Sequence, residues 1–552
     1  MKKILALTMA LVLLLGLAAC ETPGGETPTA EDIAAWAEAL DVNVDPMSVT
    51  ARETTDPFSL ITEDGSYTEA DGLYTVSSAG TYVLSGLLEG RILVEAGADD
   101  EVILELAGCT IRCGEDSPIK VLSAGKVEIS AGKGTENVID DTRSPRTEKD
   151  ETQGEGAISA VCDLKLKGSG TLVVNGGYNN GVYTKKDLKI QKLSLKSTAY
   201  NNALKGKESV TVTSGFVIAV STNGDGVKTE KTNADKNGAT RGDITISGGS
   251  VAVFAAGDGF QAAHDFVLTV GGEAAAPEVA VITGSYSSCT ASDASTTSYK
   301  GVKVQNELNV EGGSILIQSY DDGLHADSGT VFDDGTKGLG TINVSGGSVV
   351  MAVYAPANKT AGGRGGPRGW SGQQTVIGAD GIHTDGTLNI SGGTVYIDSA
   401  YEGMEANVIN LSGGSAYIAA NDDGVNATKG SAPAQINVTG GYLEVSVSPE
   451  GDTDGIDSNG SYTQTGGVVI AKGPNREMAA ALDANGTVSV TGGTLIVLGW
   501  GKVSTGGGVR SCSLSLHAAG SHTLTIDGVS YTFTNGSDYG VTGCYSDAVV
   551  GS

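Results

Sequence analysis

DGIHTDGTLNISGGTVYIDSAYEGMEANVINLSGGSAYIAANDDGVNA, residues 380–427, holds two successive copies of one unit. Each copy has an alternating apolar strand, Ser-Gly-Gly, a second alternating strand and an acidic-Gly turn. Alternation sends every other side chain to one face, the mark of a half-buried strand. The glycines mark a turn where a side chain would clash with the neighbouring copy. Earlier copies are DITISGGSVAVFAA (243–256), ELNVEGGSILIQSY (307–320) and TINVSGGSVVMAVY (341–354). Later ones are QINVTGGYLEVSV (435–447), SYTQTGGVVIAKG (461–473) and TVSVTGGTLIVLG (487–499). The first glycines at 346, 392, 413, 440, 466 and 492 lie 46, 21, 27, 26 and 26 residues apart. A step in the twenties with two strands per step predicts the rung of an all-β solenoid, a right-handed parallel β-helix with capped ends. One rung cannot bury its apolar face alone, so rungs must stack. The 46-residue step holds a rung plus a Gly-rich insertion, 356–374. Antiparallel sandwiches and propellers compete, but propeller blades run to about forty residues.

Composition narrows the function. The 552 residues include 65 Asp+Glu against 35 Lys+Arg, a net charge of −30. That excludes a nucleic-acid partner, which needs a basic footprint. The 82 glycines have no Gly-X-Y period and only 12 prolines accompany them, so the chain is not collagen-like. With 39% apolar residues it is not disordered, and 7 cysteines are too few for a disulfide scaffold. Cys109 and Cys113, on one strand, face the same side. Cys512 and Cys544 are candidates for a C-terminal staple. Residues 49–139 are strand-rich without Ser-Gly-Gly and are expected to form the first rungs and an N-terminal cap. The repeat domain then runs over 49–500, with 501–552 as a C-terminal β cap.

Residues 1–20, MKKILALTMALVLLLGLAAC, read as a lipoprotein signal peptide. Lys2 and Lys3 precede an apolar run, and Leu17-Ala18-Ala19-Cys20 resembles a lipobox. Lipidation at Cys20 predicts a monomeric protein on the extracellular face of a bacterial cell membrane, touching the bilayer only through its lipid. Residues 21–48 form a tether with a short helix over 31–41.

The turns align on their glycine. The residue before it is Asn180, Asp225, Asp258, Lys300, Asp322, Asp380, Glu402, Asp423 and Asp454, with Asn202 at the one copy where Ala203 replaces the glycine. Two places after the glycine stand Tyr183, Lys205, Lys228, Gln261, Lys303, His325, His383, Glu405, Asn426 and Asp457. Stacked rungs would bring these carboxylates about 5 Å apart, where they repel. Oxygen ligands at a turn suit Ca²⁺. The expected ligands are Asp258, Asp321, Asp322, Asp380, Glu402, Glu405, Asp422, Asp423, Asp454 and Asp457. Zinc fits less well, since only His325 and His383 stand nearby, without cysteines. Plain Asp-Gly turn chemistry explains the glycines but not Glu405 and Asp457. Tyr299, Tyr320 and Tyr401 precede the same turns and offer aromatic faces to sugar rings, with His325, His383 and Trp370 as further ligand contacts.

KGVK (300–303), DDGLHAD (321–327), DGIHTDGTLNISGG (380–393), YEGMEANVINLSGG (401–414), DDGVNA (422–427), DTDGIDSNGS (452–461) and AAALDANGTVSVTGG (479–493), in that order, resemble a family of exported bacterial β-helix proteins described as carbohydrate-binding. The resemblance implies a pectate-lyase-like fold, bound calcium, and binding of cellulose or polygalacturonate. Ala379 departs from it, standing where an acidic residue is expected. A surface lipoprotein that binds plant-type polysaccharide with calcium is the leading expectation. A calcium-dependent polysaccharide lyase is the alternative, with Lys300 or Lys303 as the base. An adhesin or stalk with calcium-stapled turns is the third.

Overall fold

The computed structural model describes residues 49–552 except 235–237, 239, 273–274, 285–297, 355–377 and 478. The expected lipidation site Cys20, the tether and helix within 21–48, and the insertion with Trp370 lie outside the described residues. Among the described residues every regular element is a strand, and one sheet contains 43 of them.

Most pairings in that sheet are parallel and recur every third strand. Asn180–Thr184, Asp187–Gln191 and Leu193–Ala199 pair with Leu204–Gly206, Ser209–Val212 and Gly215–Ser221 respectively. Those three pair with Val227–Lys228, Asp243–Ile246 and Ser250–Ala255. Each of these turns supplies three strands to the stack, one more than the sequence suggests, whereas in the two turns from Ile382 and Met404 the short strand is fused with the next, as Ile382–Ile390 and Met404–Leu411, and two strands remain. The additional strand follows the acidic turn and is short, as in Leu324–Ala326. Three residues cannot display a period of two. Parallel pairing on this scale is incompatible with an antiparallel sandwich or propeller.

Like residues stack on like in the interior. Val182, Leu204, Val227, Phe260, Val302, Leu324, Ile382, Met404, Val425 and Ile456 follow one another in register, none more than 2% exposed. Burying each such side chain contributes about 1.5–3 kcal/mol. The stack is one continuous core along the described chain, joined near the C-terminus by a second cluster that includes Tyr417, Tyr442 and Phe533.

Glycines serve two different needs. The second glycine of Ser-Gly-Gly turns left-handed, with φ of 69° at Gly393. The glycine of the acidic turn instead makes room: a Cβ on Gly381 would lie 2.6 Å from the Gly403 carbonyl oxygen. Antiparallel strands close both ends. Ser59–Ile61 pairs with Gly80–Glu89, and Thr542–Ser546 covers Val488–Leu498. The C-terminal hairpin Gly520–Ile526 and Val529–Asn535 is fastened by Lys472, whose Nζ, 1% exposed at the side chain, reaches Glu444 at 2.5 Å and the Thr534 carbonyl at 2.9 Å. Cys512 and Cys544 are neighbours, the Cys512 N–H donating to the Cys544 carbonyl at 2.8 Å, and both are free thiols.

Gly381→Ala drives a methyl into the next turn's backbone. Urea unfolding followed by circular dichroism is expected to show a loss of about 1–3 kcal/mol.

Candidate functional site

The short third strands set their outward residues in one column. Register places Tyr183 opposite Lys205, Lys205 opposite Lys228, and Lys228 opposite Gln261. Gln261, Lys303, His325, His383, Glu405, Asn426 and Asp457 continue it without a gap. The turn residues stack beside it. Gly259, Gly301, Gly323, Gly381, Gly403 and Gly424 donate from their N–H groups to the carbonyls of Lys300, Asp322, Asp380, Glu402, Asp423 and Asp454. The column and its turns form a single strip of titratable groups.

The middle of the strip neutralises itself. The Lys300 ammonium lies 2.9 Å from both Asp321 and Asp322. Burial opposes the Lys300 cation, but attraction to Asp322 and Asp321 outweighs it and pushes the ammonium up. Burial likewise opposes the Asp322 carboxylate, and Lys300 and His325 override it, holding this group well below the carboxylate range. His325 bridges Asp322 at 2.8 Å and Asp327 at 2.9 Å. His383 holds Asp380 at 2.8 Å and Glu405 at 3.1 Å. The two imidazoles stack with centroids 5.0 Å apart and planes 6° from parallel. Burial disfavours the His383 cation, yet its hydrogen bonds to Asp380 and Glu405 raise it. Lys303 sits 3.7 Å from Asp327.

The strip beyond His383 has no such partners. Glu402, Asp423, Asp454 and Asp457 make no ion pair among the described residues. Burial pushes Glu402 up, with Asp380, Glu405 and Asp423 adding repulsion. Burial raises Asp423 to about 8, Asp454 to about 7 and Asp457 to about 6. Asn426, 7% exposed, donates from Nδ2 to Glu402 at 3.0 Å, while its buried Oδ1 has no donor. Register places Asn426 between Glu405 and Asp457, so the outward groups at this end are oxygen donors of the kind a hard cation takes.

The remaining expected residues fall elsewhere on the strip. Asp258 is 2% exposed and accepts from Ser298 Oγ and the Lys300 N–H; burial first, then Asp225, lifts it to about 6. Tyr401 is hydrogen-bonded to Asp422. Tyr320 is 1% exposed, stacked on Tyr354 at 4.4 Å and edge-on to Tyr299 at 5.9 Å. It packs in the interior, and Tyr299 lines an open cleft beside Phe254.

Two groupings escaped the sequence reading. Asn309, Asn343, Asn389, Asn410 and Asn437 form a ladder in which each Nδ2 donates to the preceding Oδ1 at 2.8 Å. Its signal was present, since an Asn stands three residues before the first glycine of each of these Ser/Thr/Glu-Gly-Gly copies. Asp243, His264 and Asp265 bring ligand atoms within 4.8 Å of one another, as do Asp380, His383 and Glu405, which the sequence had already singled out. Both triplets already contain an imidazole held by carboxylates.

A solenoid-like stack of parallel strands with a charged outward strip is the class of protein these observations define. A family model described as carbohydrate-binding domain-containing protein matches residues 70–348, and the chain belongs to that family. A carbohydrate-binding domain-containing protein of Acetivibrio thermocellus is 36% identical over 149 residues, 27% of this chain and 46% of that protein. The chain thus spans about half the length of this relative. The polysaccharide lyase-like protein from C. thermocellum, solved as a gadolinium derivative, is 29% identical over 45% of this chain and 90% of that one, with a TM-score of 0.37.

The unpaired acids predict a sign for the pH dependence. Their folded-state pKa values lie above the unfolded value of about 4, so the folded chain binds protons more tightly. Their stabilising contribution is present below about pH 4 and is lost as pH rises through the values of 6, 7 and 8. In EDTA, the urea midpoint is expected to fall from pH 5 to pH 9, and Asp423→Asn is expected to flatten that fall and raise the midpoint at pH 9.

Proposed function

We propose that this protein binds polysaccharide along the outward strip, with Ca²⁺ held at its unpaired acidic end. The observation that carries the reading is the run of half-buried acids Glu402, Asp423, Asp454 and Asp457, which make no ion pair among the described residues, on the same stretch of the strip as the orphaned Asn426 oxygen. Buried like charges favour whatever cation can neutralise them. Their donor set is all oxygen, which suits calcium at six to eight ligands and leaves positions for a sugar carboxylate. The acidic end of the strip, in a chain of net charge −30, repels an acidic glycan unless a cation bridges the two. Pectic polygalacturonate is the favoured ligand for that reason, with cellulose as the neutral counterpart.

In this reading the stacked turns are a right-handed parallel β-helix. The monomer is carried on the extracellular face of a bacterial membrane by the lipid on Cys20. Binding without turnover fits better than lyase chemistry. A lyase base must be an unprotonated amine, and Asp321 and Asp322 hold Lys300 as the ammonium.

Calorimetry on EDTA-treated protein at pH 8 tests the reading. Calcium is expected to bind, and Asp423→Asn with Asp457→Asn to weaken it at least tenfold. Oligogalacturonate is expected to bind more tightly once calcium is present, and Asp423→Asn with Asp457→Asn to remove that gain. No calcium binding by the wild-type protein would overturn the proposal.

A further inference from the structure

The outward column also extends the other way. From Tyr183 the register runs back to Ser159 and then to Lys120. Over these positions the strip is cationic, not acidic. Beside it opens a cleft of about 340 Å³, whose walls include Lys120, Lys149, Lys185, Lys207 and Tyr183. Sites for small organic ligands begin at about 300 Å³.

The charge count is unusual for this chain. Lys120 pairs with Asp116 at 2.7 Å and Lys149 with Glu151 at 2.6 Å. Lys205 and Lys207 share Glu230 at 2.6 and 2.7 Å, and Arg146 holds Glu155 at 2.8 Å. Lys185 has no carboxylate within ion-pair distance among the described residues, and it is exposed. Of the charged residues that line the cleft, Lys120, Lys149, Lys185 and Lys207 stand against Glu151 and Glu155, an excess of two positive charges in a chain of −30.

The other groups at the cleft match a sugar. Leu122, 45% exposed, is the apolar side chain the cleft presents, since Val121 and Ala160 are each 1% exposed. A pyranose can set its C–H face against Leu122 while its polar edge meets the ammonium groups. Among the described residues no group pairs with the Tyr183 phenol, which is free to hydrogen-bond a ligand.

We infer that this cleft is a second glycan subsite, one that takes an anionic sugar unit directly on Lys185 and Tyr183 without a bridging cation. It rests on the polysaccharide reading above but not on calcium. The strip then meets one acidic chain in two ways: by direct ion pairing at its N-terminal end and through a metal at its C-terminal end.

Calorimetry with trigalacturonate in EDTA tests it. Saturable binding is expected, weakened by salt as ion pairing requires. Lys185→Glu is expected to weaken it at least tenfold, and Lys185→Arg to retain it. Tyr183→Phe should cost several-fold, and an uncharged galactose trisaccharide should not bind. A sulfated trisaccharide that binds equally well assigns the cleft to anionic sugars in general; weaker binding assigns it to uronates. Absence of trigalacturonate binding in EDTA, or an unaltered affinity in Lys185→Glu, would overturn the inference. If binding persists with calcium but not in EDTA, only the cleft fails; if it is absent in both, the polysaccharide reading fails with it.

Discussion

In-register parallel stacking is the constraint on which everything else in this protein depends. Adjacent strands lie about 4.8 Å apart, so each residue meets its equivalent from the turns above and below. For apolar residues this is favourable, and Val302, Leu324 and Ile382 build a core simply by repetition. For asparagine it is also favourable, because an amide donates on one side and accepts on the other, as the ladder from Asn309 to Asn437 does. For carboxylates it is unfavourable, because an ionised acid can only accept. The acidic turns therefore need cations, from the chain or from outside.

The strip solves that need in different ways along its length. Around Lys300, His325 and His383 the chain supplies its own cations, within 3.1 Å of Asp321, Asp322, Asp380 and Glu405. Beyond them it supplies none to Glu402, Asp423, Asp454 and Asp457, and burial leaves these acids easily protonated. Toward the N-terminus the polarity reverses, and lysines outnumber their partners. A ligand lying along the column crosses all three regions.

Much of this organisation was legible in the sequence, for a physical reason. A glycine is required wherever the next turn's backbone approaches closely, as at Gly381, so glycines mark equivalent positions and set the register. Aligning on them orders the outward column from Tyr183 to Asp457. Other features were not legible. The third strand of many turns, such as Leu324–Ala326, is too short to show alternation. The split between paired and unpaired acids turns on side-chain geometry, such as Asp327 reaching back to His325 at 2.9 Å. The basic cleft draws Lys120, Lys149, Lys185 and Lys207 from segments without the Ser-Gly-Gly repeat, so no alignment on that motif could assemble it. Tyr320 shows the opposite error: its spacing matched an aromatic strip, but its ring lies in the core.

Anomalous diffraction from crystals grown in calcium would locate the external cations directly. Density is predicted among Glu402, Asp423, Asn426 and Asp457, and none between Lys300 and Asp322, where the ammonium already fills the role. Calcium at the Lys300 position, or an acidic end without any ion, would contradict the division of the strip into self-neutralised and metal-requiring halves.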